Sequence, residues 1–261
     1  MKIKQCKMLN RDQKKTFAYF FDKYGLRVYN NTKKPAIFYS AWSFGQIAHH
    51  TAFGIIIWRG SDIIKLKSRL KIIKRMKNIH HVSISSFISQ DLDAVGIKYK
   101  FIPIVGVNMN YYTPCPLGDE IYTYVPTNNK SKYYYRYGMD VIEKIQQRCN
   151  YKINILGPPF KYNRKQLLKI YKRCFCCLRL TVHDGLPNTV IEMSLMGRKS
   201  IYNGNIPGSI KWDRNDIDKI VEKIKIEAQK IGTIDNEYPK KIKKFLNVGY
   251  QWLDTEYWKI K

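Results

Sequence analysis

The sequence predicts an α/β protein made of two halves, each built on a parallel sheet. Short apolar runs alternate with longer amphipathic segments, which is the pattern of strands joined by helices. The alternation covers roughly 35–105, is interrupted by a proline- and glycine-containing stretch over 111–119, and then restarts. We therefore predict an N-terminal domain over 1–112 and a C-terminal domain over 113–261.

The elements of the first half follow from their residue patterns. Runs of β-branched and aromatic residues bounded by turn residues predict strands, and apolar positions at helical spacing predict helices. Gly96 marks the end of a helix, because glycine readily adopts the left-handed conformation found there. A turn at Ser43–Gly45 leads from the first strand into a helix. The strands are predicted at 35–40, 54–58, 79–84 and 99–105, and two further helices at 65–77 and 85–95.

The second half repeats the pattern with clearer boundaries. Gly157 and the two prolines after it close one strand, and Gly197 closes a helix. Strands are predicted at 120–125, 151–156, 174–181 and 199–202, and helices at 133–148, 164–173, 188–196, 216–231 and 239–252. Because ligands of such sheets bind at the carboxyl ends of the strands, we expect the chemistry in the loops that follow strands.

The composition excludes several classes of protein. With 44% hydrophobic residues in 261, the chain has too much apolar surface for a disordered protein. The best apolar run, Ala52–Trp58, is too short to span a membrane, and the basic N-terminus lacks the apolar segment of a secretory signal. We expect a cytoplasmic protein, in the host cytoplasm if it is viral, that can lie at a membrane surface.

The formal net charge of +27 predicts a strongly positive surface. Lysine has AT-rich codons, as have the abundant isoleucine, tyrosine and asparagine, so nucleotide bias accounts for part of the lysine content. The bias does not explain why acidic residues are scarce. A positive surface attracts polyanions, which here means nucleic acid, an anionic membrane face or phosphorylated substrates.

Three of the six cysteines stand close together, at Cys174, Cys176 and Cys177. They lie inside an apolar run, which is typical of a buried strand. Because no C-x2-C pair or histidine at ligand spacing accompanies them, we predict core thiols rather than a zinc site. Without a secretory signal the thiols are expected to be reduced, and no metal site is predicted.

The segment 178–208 is the most informative part of the chain. A strand ends, an acidic-glycine turn follows, and a helix begins near Asn188, with Asp184 in the loop and Glu192 in the helix. Free amides at a helix start attract a diphosphate, and a carboxylate can accept hydrogen bonds from two neighbouring hydroxyls of a sugar. This segment could therefore bind a nucleotide sugar. The alternative is an ordinary strand–loop–helix in which Asp184 caps the helix.

This segment resembles the donor-binding motif of the retaining glycosyltransferases that include glycogen synthase and sucrose synthase. Asp184, Gly185, the Leu186–Pro187 pair, Glu192 and Gly197 match the motif in order and spacing, with aspartate where the first acid is usually glutamate. The resemblance implies the GT-B fold, two Rossmann-like domains facing each other across a cleft, here with a shortened N-terminal domain. It also implies a nucleotide-diphosphate sugar as donor, with a UDP-sugar such as UDP-glucose favoured, and no obligatory metal or other cofactor.

Two segments of the first half are similar to the same family. Trp58–Asp62 resembles its strand-end His-Gly-Ser-Asp, with Arg59 where a histidine is common; the alternative is a plain turn in which Asp62 caps the next helix. The order of Val82–Ser85, Gly96–Lys98 and Ile102–Pro103 resembles the end of the family's N-terminal domain.

The resemblance implies roles for particular residues. A lysine and an arginine near the first strand of the C-terminal half neutralise the leaving diphosphate in this family, and Lys130 and Arg136 are assigned to that role, with Lys132 as a rival. The predicted catalytic residues are Asp184, Glu192 and Arg59. The predicted donor-binding residues are Lys130, Arg136, Arg179, Gly185, Leu186, Asn188, Thr189 and Glu192.

The acceptor is predicted from the charge. Seven of the thirteen residues of Lys65–Lys77 are lysine or arginine, and an apolar stripe at helical spacing leaves these cations pointing outwards. The predicted acceptor-side residues are Gly45, Asp62, Lys65, Lys67, Arg69, Lys71, Lys74 and Arg75. The favoured acceptor is a hydroxylated base in DNA, as in the phage glycosyltransferases that this architecture resembles. The alternatives are a lipid of an anionic membrane or a surface glycan as acceptor, and a non-catalytic nucleic-acid-binding protein on a degenerate scaffold.

Overall fold

The computed structural model describes residues 3, 5–7, 18–41, 44–60, 62, 69–126, 134–158 and 162–254. It is an α/β protein with two parallel sheets, which confirms the predicted fold class. The chain divides into two compact units. The first unit is Met1–Gly106, Asp184–Leu186 and Leu246–Lys261, and the second is Val107–His183 and Pro187–Phe245. The predicted domain boundary after residue 112 stays a prediction.

The first unit is built on a six-stranded parallel sheet. Its strands are β1 Gln5–Lys7, β2 Arg27–Val28, β3 Ala36–Tyr39, β4 Gly54–Trp58, β5 Ile79–Ser83 and β6 Lys100–Phe101, in the order β2-β1-β3-β4-β5-β6. Its helices are α1 Ala18–Tyr24, α2 Phe44–Ala48, α3 Leu70–Arg75 and α4 Ser86–Ala94. Every residue of β3 and β4 is buried, as expected for interior strands of a parallel sheet covered on both faces.

Several elements of the first unit differ from the prediction. β1 and β2 were not predicted, because strands of three and two residues carry too little periodicity to be recognised. The strand expected at 99–105 is regular only over Lys100–Phe101, although the amide of Ile102 continues the pairing by donating to the Ser83 carbonyl, 2.8 Å away. A turn was predicted at Ser43–Gly45, and this prediction is wrong for Phe44 and Gly45, which belong to α2.

The second unit is built on a four-stranded parallel sheet. Its strands are β7 Glu120–Tyr124, β8 Ile153–Leu156, β9 Cys174–Arg179 and β10 Lys199–Tyr202, in the order β10-β9-β7-β8. The helices that begin in this unit are α5 Met139–Gln146, α6 Arg164–Arg173, α7 Asn188–Leu195, α8 Ile217–Ala228 and α9 Glu237–Gln251, preceded by a 3-10 turn at Met109–Tyr111.

Local signals explain where two of these helices begin. Asn163 and Gln166 form a capping box at the start of α6, so this helix spans the predicted residues. α5 begins at Met139, inside the range 133–148 predicted for a helix, of which residue 133 lies outside the described residues. Gly138 before it has a φ of 68°, and a Cβ on it would lie 2.3 Å from the Leu180 carbonyl oxygen, so only glycine fits this close approach.

The strand predicted around the cysteines is confirmed as β9, and all of its residues are buried. Burial raises the pKa of Cys174 and Cys177 to about 12, so both thiols stay protonated at neutral pH. The cysteines are free, and they contribute to the core as small apolar side chains. In the part of the chain that the structure describes, no helix has both the length and the apolar character to cross a membrane.

Candidate functional site

The loop after β4 is organised by the carboxylate of Asp62, which is 2% exposed. Its Oδ2 accepts hydrogen bonds from Ser40 Oγ at 2.8 Å, from the Ala41 amide at 3.2 Å and from the Arg59 amide at 3.3 Å. Ser40 has a φ of 113°, a left-handed conformation that a serine adopts only when its surroundings hold it. Asp62 therefore connects the end of β3 to the end of β4. Its predicted contribution to the acceptor side would consist of holding this loop in place.

The side chain of Arg59 lies half-buried over an aromatic ring. Its guanidinium carbon is 4.4 Å from the centroid of the Tyr39 ring, at the distance of a cation–π contact. Burial raises the pKa of the Tyr39 hydroxyl, and the positive charge of Arg59 opposes that rise in part. The predicted catalytic arginine is therefore positioned by a tyrosine of the neighbouring strand β3.

The turn Asp184–Leu186 belongs to the first unit and contacts the ends of its strands. Ser85 Oγ donates to the Asp184 carbonyl at 3.0 Å, and a Cβ on Gly185 would lie 3.9 Å from Ile84 Cδ1 and 4.0 Å from the Arg59 carbonyl carbon. Residues of all three predicted motifs thus meet at the carboxyl ends of β4 and β5, although they are far apart in the sequence. Parallel sheets bind their ligands at this edge.

The side chain of Asp184 contacts the main chain of its own turn. Its Oδ1 accepts a hydrogen bond from the amide of Gly185 at 2.9 Å, and the N-cap position of α7 is occupied by Pro187, which has no side-chain acceptor. Asn188 is exposed and Thr189 half-buried in the first turn. The first amides of a helix have no partner within the helix, and the positive end of a helix attracts an anion.

Glu192, in the second turn of α7, is half-buried in the second unit. Tyr171 donates its hydroxyl proton to Glu192 Oε2 at 2.8 Å, and Tyr112 makes a second side-chain hydrogen bond to the same carboxylate. Burial raises the pKa of Glu192, while these two hydroxyls and the positive charge of Arg164 act in the opposite direction. Burial is the largest of these effects, so the pKa of Glu192 lies above its ordinary value.

Two of the predicted donor-binding cations lie near tyrosines or strand ends of the second unit. Arg179, at the end of β9, is buried with its guanidinium carbon 5.7 Å from the ring centroid of Tyr124 and 5.2 Å from that of Tyr137. Arg136 is half-buried, and its carbonyl accepts from the Val182 amide at 3.2 Å. Lys130 and its rival Lys132 lie outside the described residues.

The predicted acceptor-side residues are only partly described. Lys65 and Lys67 lie outside the described residues, and Gly45 is exposed in the first turn of α2. The Arg69 guanidinium carbon is 4.7 Å from the ring centroid of Phe44. Lys71, Lys74 and Arg75 are exposed on α3, whose Ile73 is buried.

Sequence reasoning missed the groups that hold the predicted residues. No motif pointed to Tyr112, Tyr171 or Arg164, because tyrosine is abundant here and none stands at a characteristic spacing. Ser85 was predicted as the end of the Val82–Ser85 segment and as the start of a helix, and it does cap α4 by accepting from the Ile88 amide. Within the described residues no group of three or more histidine, cysteine, aspartate or glutamate side chains could hold a metal ion.

Arg198, directly after the motif glycine Gly197, was also missed. It is fully buried, and every hydrogen-bond acceptor described for its guanidinium is a backbone carbonyl oxygen. The acceptors are the carbonyls of Tyr171 at 3.3 Å, Lys172 at 3.3 Å, Cys174 at 3.1 Å, Cys115 at 2.9 Å, Pro116 at 2.6 Å and Met196. Since α6 ends at Arg173, Arg198 satisfies the carbonyls at the negative end of that helix.

Comparison with known proteins supports the fold. No protein-family model and no curated protein matches the chain in sequence. Among solved structures, it is similar to the sucrose-phosphate synthase of Thermosynechococcus elongatus, with a TM-score of 0.60 and 12% identity over 95% of this chain and 78% of that one. It is also similar to TarM, with a TM-score of 0.58 and 13% identity over 90% of this chain.

A second TarM structure, a variant from S. aureus in complex with fondaparinux, alpha-GlcNAc-glycerol and UDP, gives a TM-score of 0.58 at 14% identity over 90% of this chain. The chain covers 56% and 57% of the two TarM chains, so it spans just over half of their length. At these low identities the similarity establishes a shared fold, and the predicted fold of Rossmann-like domains is confirmed at that level.

Proposed function

We propose that the chain is a glycosyltransferase that transfers a sugar from a nucleotide-diphosphate sugar, a UDP-sugar in the first place, to a hydroxyl acceptor. The observation that carries this proposal is the meeting of Arg59, Ile84–Ser85 and Asp184–Gly185 at the carboxyl ends of β4 and β5. The names of the similar structures agree with it, since one is a sucrose-phosphate synthase and another was solved with UDP.

The chemistry of the residues assigns each a part in binding the donor. The Glu192 carboxylate accepts hydrogen bonds from ribose hydroxyls, and Asp184 accepts from a hydroxyl of the transferred sugar. The amides at the start of α7 bind the diphosphate, because the positive end of a helix favours an anion. Lys130 and Arg136 supply positive charge for the leaving diphosphate, and Arg179 is a further donor-binding cation.

The resemblance to the retaining glycosyltransferases implies the course of the reaction. The acceptor oxygen forms a bond to the anomeric carbon while the bond from that carbon to the diphosphate oxygen breaks, and the electron pair of the broken bond stays on the diphosphate. The proton of the acceptor hydroxyl passes to the same diphosphate oxygen. Attack from the face that the diphosphate leaves retains the anomeric configuration, and none of these steps needs a metal ion.

A donor screen tests the proposal. UDP-, ADP- and GDP-sugars are added to the wild type and to Glu192→Ala, and the melting temperature is measured. We expect one nucleotide series to stabilise the wild type and not Glu192→Ala, because binding of the folded state raises its stability. The exposed Glu222 on α8 provides a matched control, Glu222→Ala, which should respond like the wild type. If no nucleotide stabilises the wild type, the proposal is wrong.

For the acceptor we propose a polyanion bound by the basic face of α3. Between Leu70 and Lys77 the exposed cations are Lys71, Lys74, Arg75 and Lys77, and this segment contains no acidic residue. A hydroxylated base in DNA stays the favoured prediction, with a membrane lipid or surface glycan as the alternative. Transfer of radiolabelled glucose from UDP-glucose to hydroxymethylated DNA, compared with a lipid extract, separates these acceptors.

The non-catalytic alternative makes a different prediction for the same variant. A nucleic-acid-binding protein has no use for Glu192, so Glu192→Ala would leave its DNA affinity unchanged and no sugar would be transferred by the wild type. A polyanionic acceptor also binds more weakly as the salt concentration rises, and more steeply than a nucleotide sugar does.

A further inference from the structure

We propose that Tyr171 is a positioning residue of the donor site, whose hydroxyl, together with that of Tyr112, holds the Glu192 carboxylate in the orientation in which it meets the ribose. This inference rests on the proposed function and adds residues to it that no motif contains. Tyr171 itself is not expected to touch the donor.

The position of the Tyr171 hydroxyl is fixed from several sides. The residue is fully buried near the end of α6, and its hydroxyl lies 2.8 Å from Glu192 Oε2. Its ring packs edge-to-face against Tyr122 of β7, with the ring centroids 5.0 Å apart, and its carbonyl accepts from Arg198 Nε at 3.3 Å. A ring held by a sheet residue and a main chain held by a buried arginine leave the hydroxyl little freedom.

The second hydroxyl restricts the carboxylate further. Tyr112 is 2% exposed and makes side-chain hydrogen bonds to both Glu192 and Arg164. A glutamate side chain has three rotatable bonds, so one hydrogen bond leaves its carboxylate free to turn, whereas two buried donors hold its plane. Among the described residues, the charged and titratable groups that act on Glu192 are Tyr112, Tyr122, Tyr171 and Arg164.

A purely structural role would not need a carboxylate at this place. Burial disfavours the charged form of Glu192, and a neutral side chain of similar size would avoid that cost. Tyrosine hydroxyls stabilise the negative charge by hydrogen bonds without neutralising it, and the exposed Arg164 acts on it through its charge. The carboxylate therefore keeps its charge available for hydroxyl groups of a ligand, which is the property that ribose binding requires.

Tyr171→Phe tests the proposal by removing one hydroxyl and leaving the ring. We expect the Kd for the stabilising UDP-sugar to rise about tenfold at neutral pH, since one hydrogen bond to an ionised group is lost. We also expect the loss of affinity on acidification to begin at a higher pH than in the wild type, because the charged form of Glu192 has lost a donor. The effect should fall on KM more than on kcat.

Tyr238→Phe is the matched control. Tyr238 is also buried, and its hydroxyl lies 3.0 Å from Ser194 Oγ on the same helix α7, two residues beyond Glu192. The control loses the same kind of bond and should lose similar stability, yet its pH dependence of donor binding should match the wild type. If Tyr171→Phe does not fold, Tyr112→Phe should shift the pH dependence in the same direction.

The outcomes distinguish this inference from the proposed function. A wild type that binds no nucleotide overturns both. Two results overturn the positioning role alone when the wild type binds a nucleotide sugar. In the first, Tyr171→Phe has the same pH dependence of donor binding as the wild type. In the second, Tyr238→Phe shifts this pH dependence as much as Tyr171→Phe does. Titration of the Glu192 carboxyl carbon by NMR in the ligand-free protein should show the midpoint rising in Tyr171→Phe, and an unchanged midpoint also contradicts the role.

Discussion

Asp62 in the first unit and Glu192 in the second are motif carboxylates that are held in opposite ways. Oδ2 of Asp62 accepts hydrogen bonds from two backbone amides and from the Ser40 hydroxyl, so this carboxylate holds the main chain in place. Glu192 is held by tyrosine side chains, and burial raises its pKa. The Asp62 carboxylate stabilises a loop. The Glu192 carboxylate is buried at a cost to its charged form, and a ligand that donates hydrogen bonds to it can offset that cost.

The largest expected effect follows from replacing Asp62. Asp62→Ala leaves the buried Ser40 hydroxyl and the Ala41 amide without their acceptor, so the free energy of unfolding should fall by about 3 kcal/mol. Urea unfolding measures the loss. The exposed Asp22 of α1 provides the control, and equal effects of Asp22→Ala and Asp62→Ala would contradict the role given to Asp62.

The next effect is a pH dependence of the first unit, at His81. Trp58 Nε1 donates to His81 Nδ1 at 3.1 Å, and burial, with a smaller contribution from His80, lowers the pKa of His81 from 6.5 to about 4. Between these values the unfolded chain binds the proton and the folded chain does not. Stability should therefore fall as the pH falls below 6.5, by about 2 kcal/mol at pH 5.

His81→Phe checks this prediction. The variant loses the acceptor of Trp58 and is less stable at neutral pH, but its stability should change less between pH 7 and pH 5 than that of the wild type. Urea titrations at several pH values give both slopes, and equal slopes would show that His81 is not the group responsible.

A smaller effect is expected at Ser40, where backbone strain and a hydrogen bond oppose each other. Ser40→Ala keeps the φ of 113° and loses the bond to Asp62, so it should cost about 1.5 kcal/mol. Ser40→Gly loses the same bond but relieves the strain, and it should be the more stable of the two variants. Thermal unfolding of both gives their order, and the reverse order would mean that the strain is not significant.

The smallest expected effect has the opposite sign and belongs to Glu192. Its raised pKa means that the folded chain holds a proton that the unfolded chain has released, so stability falls as the pH rises from 4.5 through the folded pKa. Glu192→Gln removes this loss, and at neutral pH it should gain up to about 1 kcal/mol while donor binding is lost. If Glu192→Gln is less stable than the wild type, Glu192 has a structural role like that of Asp62.

The sequence predicted the second unit better than the first, for physical reasons. β9, α6 and β10 have strong local signals, namely an unbroken apolar run, a capping box and a short strand after a helix-ending glycine. β1 depends on pairing with β3, residue Cys6 opposite Ile37, and such long-range contacts leave no periodic pattern in three residues.

The sequence predicted the motif residues of the candidate site but not the residues that hold them. Asp184, Glu192 and Arg59 were found because a motif spaces them, and their part in the reaction stays a prediction. The tyrosines around Glu192, the serine beneath Asp184 and the aromatic ring under Arg59 come from other elements. Tertiary folding alone brings them together, so a single sequence does not reveal them.

The buried guanidinium of Arg198 limits how this sequence can drift. Lysine is far more common than arginine in the chain, and mutation towards AT-rich codons exchanges arginine for lysine. An ammonium group has three donors around one atom, and it could not reach the carbonyls of Cys115, Pro116 and the end of α6 at once. We expect related sequences to keep arginine here even where lysine has replaced it on the surface, so this position offers a means of aligning distant relatives of the chain.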